Sequence, residues 1–519
     1  VRAAGAGPAA WAVVLHASLL SVVGESVLLA AAVTATANVV AIPLAYLTVR
    51  TDLPARRFWT VVTALPLVIP SYVGAFALVA ALGPRGLLQQ ALAEPLGIRR
   101  LPEIYGFHGA WLALTLFAYP YTLLSVRAAL QKLNPALEEA ARGLGDTPWI
   151  AFWRVTLPQL RPALASGSLL VALYVLSDFG AVSMLRYTTF TRAIYVQYNA
   201  SFDRNLAALL ALVLVVLTVA LLGLEGRVQG RARAVWQPAA VRRERVVSLG
   251  SWRWPALGFA ALVAVASLGV PVSVTGYWLV RGIQAGEAIQ LWLGPAWRSV
   301  LASALAAGPA LLGALPVALL VTRFPRPFSR LVERASFVGY ALPGIVVALS
   351  LVFFGANFAT PLYQTLALLV FAYVVRFMPQ AIGTTRAAII QVSPRLEEAA
   401  RGLGDGTLQL LLRVIIPLVR PGLLSGAALV FLTSMKELPA TLLLAPTGYD
   451  TLATRVWSAT QDAFYARAAA PALLLVAVSA LSVGLILGQD AGREMQPARP
   501  TAPTVTTYRA EHEYSDHRL

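Results

Sequence analysis

Long apolar stretches separated by short polar breaks run along almost the whole chain. Eleven of them have roughly the 20 residues that a helix needs to cross a hydrocarbon core about 30 Å thick. They lie near residues 26–49, 58–82, 109–131, 163–185, 205–224, 255–280, 298–321, 335–356, 363–386, 422–445 and 468–488. A β-barrel would show shorter segments of alternating hydrophobicity. The pattern therefore predicts an all-α polytopic membrane protein with eleven visible spans.

Composition agrees with this prediction. Hydrophobic residues make up 58% of the 519 residues, charged residues only 13%, and the mean hydropathy is +0.70. Soluble domains carry about a quarter charged residues, so a water-soluble enzyme is excluded. The net charge of +17 comes mostly from Lys and Arg in the loops on one side of the predicted spans. This asymmetry marks the cytoplasmic side and suits anionic lipid headgroups, and it speaks against nucleic acid as a partner.

One polar break occurs twice. The segment LEEAARGLGD, Leu137 to Asp146, recurs letter for letter as Leu396 to Asp405. The same spacing pairs Pro158 with Pro417. Six spans separate the copies, an even number, so both copies lie on the same side of the membrane. The sequence predicts two parallel repeats related by an axis along the membrane normal.

The repeats divide the chain. The predicted regions are a first transmembrane domain at 24–224, a cytoplasmic linker at 225–254, a second half at 255–488 with its core at about 297–488, and a disordered cytoplasmic tail at 489–519. Upstream of the duplicated segment Arg50 pairs with Arg323, and the loop between Leu82 and His108 is longer than its counterpart. The span at 255–280 has no visible counterpart in the first half. We expect either twelve spans with a start upstream of Val1, or eleven with an external N-terminus.

Each duplicated segment has the signals of a short helix. Asn134 and Ser393 each precede a proline, which is a favourable helix start because an N-cap side chain is followed by a residue that needs no N–H. The helix is expected to stop at Gly143 or Gly145, and at Gly402 or Gly404 in the second copy. A second short helix is expected to begin near Thr147-Pro148 and to close at Pro158 and Pro162. A capped polar helix used twice predicts a docking surface.

Several chemistries are excluded. The chain has no cysteine, and neither Lys132 nor Lys436, its two lysines, follows the GxxxxG of a phosphate-binding loop. No HExxH or catalytic constellation appears, and no residues form a firm metal site. The chain is therefore expected to bind no cofactor and to act as a pore rather than an enzyme. ATP, where it drives transport, must bind a separate subunit.

The two duplicated segments and the residues that follow them resemble the motif of a known family. The sequence reads Glu139-Ala140-Ala141, then Gly145, then Val155, Leu157 and Pro158, and it reads Glu398-Ala399-Ala400, Gly404, Val414, Ile416 and Pro417 in the second copy. This pattern resembles the EAA loop of the membrane subunits of bacterial ABC importers. Two such loops in one chain resemble the fused, double-length permeases. Ile416 stands where the pattern prefers leucine.

The resemblance implies a site and partners. In that family the EAA segment is a coupling helix that sits in a groove of the ATPase. The implied partners are two copies of a cytoplasmic ABC ATPase, a periplasmic or lipid-anchored binding protein and membrane lipids, and the implied location is the bacterial inner membrane. The coupling residues would be Glu138, Glu139, Ala140, Ala141, Gly145, Pro158, Glu397, Glu398, Ala399, Ala400, Gly404 and Pro417.

Ionisable residues within spans are candidates for the translocation path, because burying a charge at mid-bilayer costs at least ~2.5 kcal/mol. Asp178 and Glu437 occupy equivalent repeat positions, and Lys436 adjoins the second. Arg192 and Arg455 follow in external segments. The alternative is that both carboxylates satisfy donors at helix ends near Gly180 and Pro439, and that Lys436 neutralises Glu437.

The same stretches resemble ferric-iron permeases, through LSDFGAVSMLRY, TFTRAIYVQY and MKELPATLLLAPTGYDTLATRVW. The resemblance implies ferric iron as substrate, and carboxylate oxygens suit a hard cation. Importers of thiamine, polyamine, sulfate and phosphonate share the loop, so these solutes remain alternatives. An ion-coupled secondary transporter is a remote alternative, since it gives no reason for a duplicated cytoplasmic helix.

Overall fold

The computed structural model describes residues 17–84, 86–97, 102–201, 203–232, 246–286 and 293–494. These residues are helical apart from turns and one isolated parallel β-bridge, between Thr51 and Val247. The all-α prediction is therefore confirmed. The helices of the first half are α1 Ala17–Arg50, α2 Arg56–Val62, α3 Ser71–Leu82, α4 Leu87–Leu96, α5 Phe107–Lys132, α6 Pro135–Gly143, α7 Pro148–Ser177, α8 Gly180–Met184, α9 Phe190–Asn199 and α10 Arg204–Ala232.

The second half opens with an additional helix and then repeats the order of the first. Its helices are α11 Gly250–Gln284, α12 Leu293–Arg323, α13 Pro327–Ala341, α14 Gly344–Phe358, α15 Leu366–Ile390, α16 Pro394–Gly402, α17 Thr407–Met435, α18 Pro439–Leu444, α19 Leu452–Gln461 and α20 Tyr465–Glu494. The longer loop of the first half contains α4, whereas the second half has only a short 3-10 turn there, Thr360–Leu362.

Within the described ranges, nine helices are long and apolar enough to cross a membrane, and a tenth span results if α13 and α14 count as one. A shorter apolar helix, Tyr465–Leu481, corresponds to the eleventh predicted span. In each half three long helices pack together, α1 with α5 and α7, and α12 with α15 and α17. Gly167 on α7 lets that helix approach α5 closely, because an added Cβ would lie 2.8 Å from the Cα of Thr122.

Two predicted spans are broken. The span expected at 58–82 is divided into α2, a 3-10 turn at Leu65–Val68, and α3. The span expected at 335–356 is divided into α13 and α14, which meet at 102°. Prolines explain both breaks: Ile69 before Pro70 and Leu342 before Pro343 are extended, as residues before proline favour.

The prediction of a second short helix closing at Pro158 is wrong. The helix that Thr147 caps continues to Ser177 as α7, because one wide turn at Phe152–Thr156 precedes the proline. In this turn Leu157 N–H donates to the carbonyl of Phe152, five residues back instead of four. The hydrogen-bond pattern of the helix is therefore already shifted before Pro158, whose missing N–H then does not interrupt the helix. The same wide turn precedes Pro417 in α17 and Pro271 in α11.

The spans predicted at 163–185 and 422–445 both end earlier than expected. α7 ends at Ser177 and α17 ends at Met435, and a short helix follows each break. The residues at the breaks, Asp178 and Lys436-Glu437, are the ionisable residues of the predicted path. At membrane depth, backbone that is not helical is tolerated only where it is buried in protein or lines a water-filled cavity. The two breaks therefore mark the interior of the protein rather than its lipid-facing surface.

Segment boundaries differ from the sequence expectations in two places. α10 continues to Ala232, within the predicted linker, and α20 continues to Glu494, beyond the predicted start of the tail. The rest of the predicted tail, 495–519, lies outside the described residues, as do 233–245 and 1–16. A first-half counterpart of α11, which only the twelve-span alternative requires, likewise lies outside the described residues.

The end of the linker is attached to the first half. Val247 N–H donates to Arg50 O at 2.8 Å, and Asp52 N–H donates to Val247 O at 3.1 Å. The Asp52 carboxylate then accepts from Leu249 N–H at 2.8 Å and from the Arg253 guanidinium at 3.1 Å. This strap positions the start of α11 beside the C-terminal end of α1.

Candidate functional site

The duplicated segments form α6 and α16, two short helices of nine residues each. Asn134 Oδ1 accepts from Ala136 N–H at 3.0 Å, and Ser393 Oγ accepts from Arg395 N–H at 3.4 Å. These are the caps that the sequence predicts. The proline after each cap occupies the first helical position, where a missing N–H leaves no hydrogen bond unmade.

Both helices end in the same left-handed turn. Gly145 has φ of 101° and Gly404 has φ of 94°, whereas Gly143 and Gly402 are still helical. The turn directs the next N–H back to the third EAA residue: Asp146 N–H donates to Ala141 O at 3.1 Å, as its counterpart in the second half does. The structure thus decides between the two glycines that the sequence left open.

The turns carry exposed apolar side chains. Leu144 and Leu403, the residues before the two left-handed glycines, are each 90% exposed. Further exposed apolar residues surround them at matching repeat positions. We call Leu137, Leu144, Trp149 and Trp153 the first apolar patch, and Leu396, Leu403, Leu408 and Leu412 the second apolar patch. Grouped exposed apolar residues with polar neighbours are typical of an interaction surface.

The glutamates of the two segments differ in their surroundings. Glu139 and Glu398 are exposed on α6 and α16. Glu397 is buried and pairs with Arg323, whose guanidinium lies 2.7 Å from Glu397 Oε1. Glu138 is half-buried and accepts from the Thr156 hydroxyl at 3.0 Å. Ala140 and Ala399 are exposed, Ala400 is buried beneath α16, Ala141 is half-buried, and Pro158 and Pro417 lie inside α7 and α17.

The predicted path residues lie at the breaks after α7 and α17. Asp178 is 7% exposed, and its Oδ1 accepts from Ala181 N–H at 2.9 Å and Val182 N–H at 3.3 Å. Its other oxygen accepts from the Ser71 hydroxyl at the start of α3. Asp178 therefore binds the N–H groups at the start of α8, as the alternative drawn from the sequence expects.

Glu437 has a different partner from the one expected. It is 7% exposed and forms an ion pair with Arg376 of α15, and its Oε1 also accepts from Ala440 N–H at 3.3 Å. The prediction that Lys436 neutralises Glu437 is wrong. A glycine at position 344 makes room for this pair, because an added Cβ would overlap the Arg376 guanidinium and lie 2.7 Å from Glu437 Oε1.

Lys436 instead joins the two halves. Its Nζ donates to the carbonyl of Leu67 at 3.1 Å, in the 3-10 turn that precedes α3. A second contact between the halves lies nearby, where the ring of Phe179 packs against Trp457 of α19 with centroids 5.0 Å apart. The residues at the two breaks therefore lie where the repeats meet.

Arg192 and Arg455 lie on the short helices α9 and α19. Arg192 donates to the Thr188 hydroxyl at 3.0 Å, and Arg455 pairs with Asp450 at 2.8 Å. Counted from their caps, Thr189 and Thr451, they occupy successive rather than identical positions. Among the described residues no group of three or more His, Asp or Glu side chains could hold a metal ion.

Sequence reasoning did not select Arg376, Ser71 or Thr156. Arg376 had a detectable signal, because it is an arginine inside a predicted span. Ser71 and Thr156 gave none, since a hydroxyl in an apolar helix usually bonds its own backbone. The exposed leucines of the left-handed turns were within the duplicated segment but were not distinguished from its charged residues.

The match to known proteins is extensive. The family described as "Binding-protein-dependent transport system inner membrane component" matches residues 37–234 and 310–490. The chain belongs to this family. It is therefore a multi-pass inner-membrane permease component rather than a catalytic subunit, and ATP in such systems is handled by a partner ATPase. The family description also implies a substrate-binding protein as partner.

Two ferric permeases match most of the chain, and a molybdenum permease matches less than a third of it. The Fe(3+)-transport system permease protein FbpB 2 of Haemophilus influenzae is 34% identical, over 83% of this chain and 82% of the relative. The ferric transport system permease protein FbpB of Actinobacillus pleuropneumoniae is 24% identical, over 89% of this chain and 70% of the relative. The molybdenum transport system permease protein ModB of Escherichia coli (strain K12) is 32% identical, over 30% of this chain and 69% of the relative.

Proposed function

We propose that this permease imports ferric iron, with energy from two copies of an ABC ATPase. The observation that carries the substrate is the similarity to ferric permeases along 83% and 89% of the chain. The molybdenum permease resembles only 30% of it. A ferric ion delivered by a binding protein would enter on the side opposite to α6 and α16, near Arg192 and Arg455.

The two ATPase copies dock on α6 and α16, one on each. The repeated caps, the left-handed turns and the two apolar patches support this assignment, because they give the chain the same surface twice. Leu144 and Leu403 are the most exposed residues of the two apolar patches, at 90% each, and would be buried on docking. The exposed Glu139 and Glu398 offer ion pairs to basic groups of the ATPase at the rim of each interface.

The translocation path runs between the halves, past Asp178, Lys436 and Glu437. Their burial at the breaks after α7 and α17 supports this, as does the bond from Lys436 to Leu67 across the interface. Closure of the ATPase dimer on ATP pushes through α6 and α16 and opens the bundle outward, and hydrolysis resets it. The bond between the halves must break during this cycle. The permease itself performs no covalent chemistry and binds no cofactor.

Reconstitution tests the proposal. The permease, its ATPase and its binding protein are placed in proteoliposomes, and uptake of ferric iron is compared with uptake of molybdate, with and without ATP. We expect ATP-dependent uptake of iron alone. Uptake of molybdate but not iron would contradict the substrate. Iron uptake that follows a proton or sodium gradient without ATP would contradict the importer mechanism and favour the secondary transporter.

Docking is tested separately in the same preparation. The double variant Leu144→Ser/Leu403→Ser should lower co-purification of the ATPase at least tenfold, because both apolar patches lose their central side chain. Phe358→Ser is the control, since Phe358 is 70% exposed at the far end of α14. Equal ATPase recovery in the double variant and the control would contradict docking on α6 and α16.

A further inference from the structure

Arg50 and Arg323 occupy equivalent positions at the ends of α1 and α12, and each holds the end of the helix that leads into a coupling segment. One terminal nitrogen of each guanidinium binds two backbone carbonyls. Arg50 Nη2 donates to the carbonyls of Leu130 and Leu133, both at 2.9 Å. Arg323 Nη2 donates to those of Ile389 and Val392, at 3.3 and 2.9 Å. The two halves therefore share this clamp.

The two halves differ in what the Nε of this arginine binds. Arg323 Nε donates to Glu397 Oε1 at 2.7 Å, which ties α16 to α12. Arg50 is only 5% exposed, yet its Nε is buried with no hydrogen-bond partner among the described residues. A buried charged group with an unmade hydrogen bond is costly. The first half has a carboxylate at the matching position, Glu138, but that carboxylate is held elsewhere.

Two hydroxyls interact with Glu138 in the first half, those of Thr156 and of Tyr46 on α1, and Leu319 stands at the position of Tyr46 in the second half. Thr156, buried in the wide turn of α7, donates to Glu138 Oε2 at 3.0 Å. The matching residue in the second half is Ile415, which has no donor. The Thr156 bond therefore ties α6 to the helix that follows it, beside the contact of Glu138 with Tyr46 of α1, whereas the Arg323 bond ties α16 to α12. The repeat shows one carboxylate in two arrangements.

We propose that Glu138 is a positioning residue with two partners, Thr156 and Arg50, and that α6 moves between the two arrangements while α16 stays fixed by Arg323. The inference rests on the proposed coupling role of these helices. In the second arrangement Glu138 pairs with Arg50 as Glu397 pairs with Arg323, and the orphaned Nε gains its acceptor. The ATPase that docks on α6 thus acts on a movable helix, and its twin acts on a rigid one.

Distance measurements between spin labels test the proposal in the assembled complex. The chain contains no cysteine, so pairs can be introduced freely. The first pair is Gly143→Cys with Phe58→Cys, and the matched pair in the second half is Gly402→Cys with Leu331→Cys. Both glycine positions have open space for a side chain, and Phe58 and Leu331 are exposed at equivalent positions.

We expect the first pair to respond to Thr156→Val. Removing the hydroxyl should shift the distance distribution to the Arg50-bound arrangement, with at least a tenfold loss of the Thr156-bound population. Thr156→Ser keeps the hydroxyl and should reproduce the parent distribution. The second pair should show one population, and Ile415→Thr should add a second one there. Superimposable distributions for the parent protein and Thr156→Val would overturn the proposal.

Failure of this inference can be told apart from failure of the docking proposal. Loss of ATPase binding in Leu144→Ser/Leu403→Ser together with unchanged label distances in Thr156→Val would leave docking intact and remove only the two-position role of Glu138. Should Thr156→Val misfold, the response of the second pair to Ile415→Thr decides: a new population supports the exchange, and its absence overturns it.

Discussion

Arg376 and Glu437 form a buried ion pair that joins α15 to the break after α17. The first half has no such pair: Phe117 stands at the position of Arg376, and Asp178, the counterpart of Glu437, binds a serine hydroxyl instead. The repeats thus keep one carboxylate at each break and stabilise it differently, through neutral donors at Asp178 and through a cation at Glu437. In the second half the partner carries a full positive charge.

Arg376→Met should destabilise the protein by about 3–5 kcal/mol, because it leaves the Glu437 carboxylate buried without its cation. Arg376→Met/Glu437→Met should recover most of that loss, since neither charge then remains to be desolvated. The measurement is the free energy of unfolding by denaturant titration in mild detergent. A double variant whose loss equals the sum of the losses of Arg376→Met and Glu437→Met, each measured alone, would show that the pair is not energetically coupled.

Asp178 allows stability and transport to be separated. Asp178→Asn retains an oxygen for the N–H groups of Ala181 and Val182, so its stability should stay close to that of the parent protein. Asp178→Ala should cost about 0.5–2 kcal/mol, the usual loss for an N-cap side chain. Because we place this carboxylate on the path, both variants should lower iron uptake at least tenfold.

Ser71→Ala is the control for this comparison. It removes the hydroxyl that binds Asp178 but leaves the charge, so uptake should fall much less than in Asp178→Asn. Near-normal uptake by Asp178→Asn, with stability also near normal, would show that the carboxylate only caps α8.

Much of the architecture could be predicted from the sequence because the duplicated segment is identical in both halves. The identical residues Leu137 to Asp146 and Leu396 to Asp405 fix the alignment of the two halves. The caps Asn134 and Ser393 each bind the N–H group only two residues further along the chain. Such local interactions need no knowledge of packing. The positions of the long helices followed from the length of the apolar runs for the same reason.

The partners of buried charges could not be predicted in this way. Lys436 and Glu437 are adjacent in sequence, which suggests a pair, but at the break after α17 their side chains bind different elements, Leu67 of the first half and Arg376 of α15. The actual partner, Arg376, reaches Glu437 only because residue 344 is a glycine. The bond from Lys436 to Leu67 likewise depends on how the two halves meet, and no local pattern records that.

The apolar runs at 58–82 and 335–356 are continuous in hydropathy although prolines interrupt the helices there. Pro70 and Pro343 follow extended residues and end a helix, whereas Pro158 follows a wide turn and lies inside one. The difference is made by the hydrogen-bond ladder upstream of each proline. Hydropathy does not report it.

Asp52 should hold the end of the linker on the first half. The N–H of Leu249, together with the Arg253 guanidinium, holds the pKa of this carboxyl below its ordinary value of 3.8. A lowered pKa means that the attachment is complete above the ordinary value and is lost as the pH falls through the lowered one. Anisotropy of a dye on Val246→Cys should therefore be constant from about pH 8 to about pH 5.

The variants of Asp52 check the cause. Asp52→Ala should lower the dye anisotropy at neutral pH, because the strap loses its acceptor. Asp52→Asn keeps one acceptor for Leu249 and should lie between the two, without the fall at acidic pH. Identical anisotropy in the parent protein and Asp52→Ala would mean that the backbone bonds of Val247 alone hold the strap.

The left-handed turns should be the least tolerant positions of the two duplicated segments. Gly145→Ala places a side chain at φ of 101°, a conformation that costs an L-residue roughly 1–2 kcal/mol, and Gly404→Ala does the same at 94°. The turn sets the direction of Leu144 and Leu403, so ATPase recovery in pull-down assays should fall about fivefold or more for each variant.

Gly143→Ala and Gly402→Ala are matched controls, because these glycines are helical and have open space for a Cβ. Alanine there should raise helix stability slightly and leave ATPase recovery unchanged. Similar recovery for Gly143→Ala and Gly145→Ala would show that the left-handed turn does not determine docking.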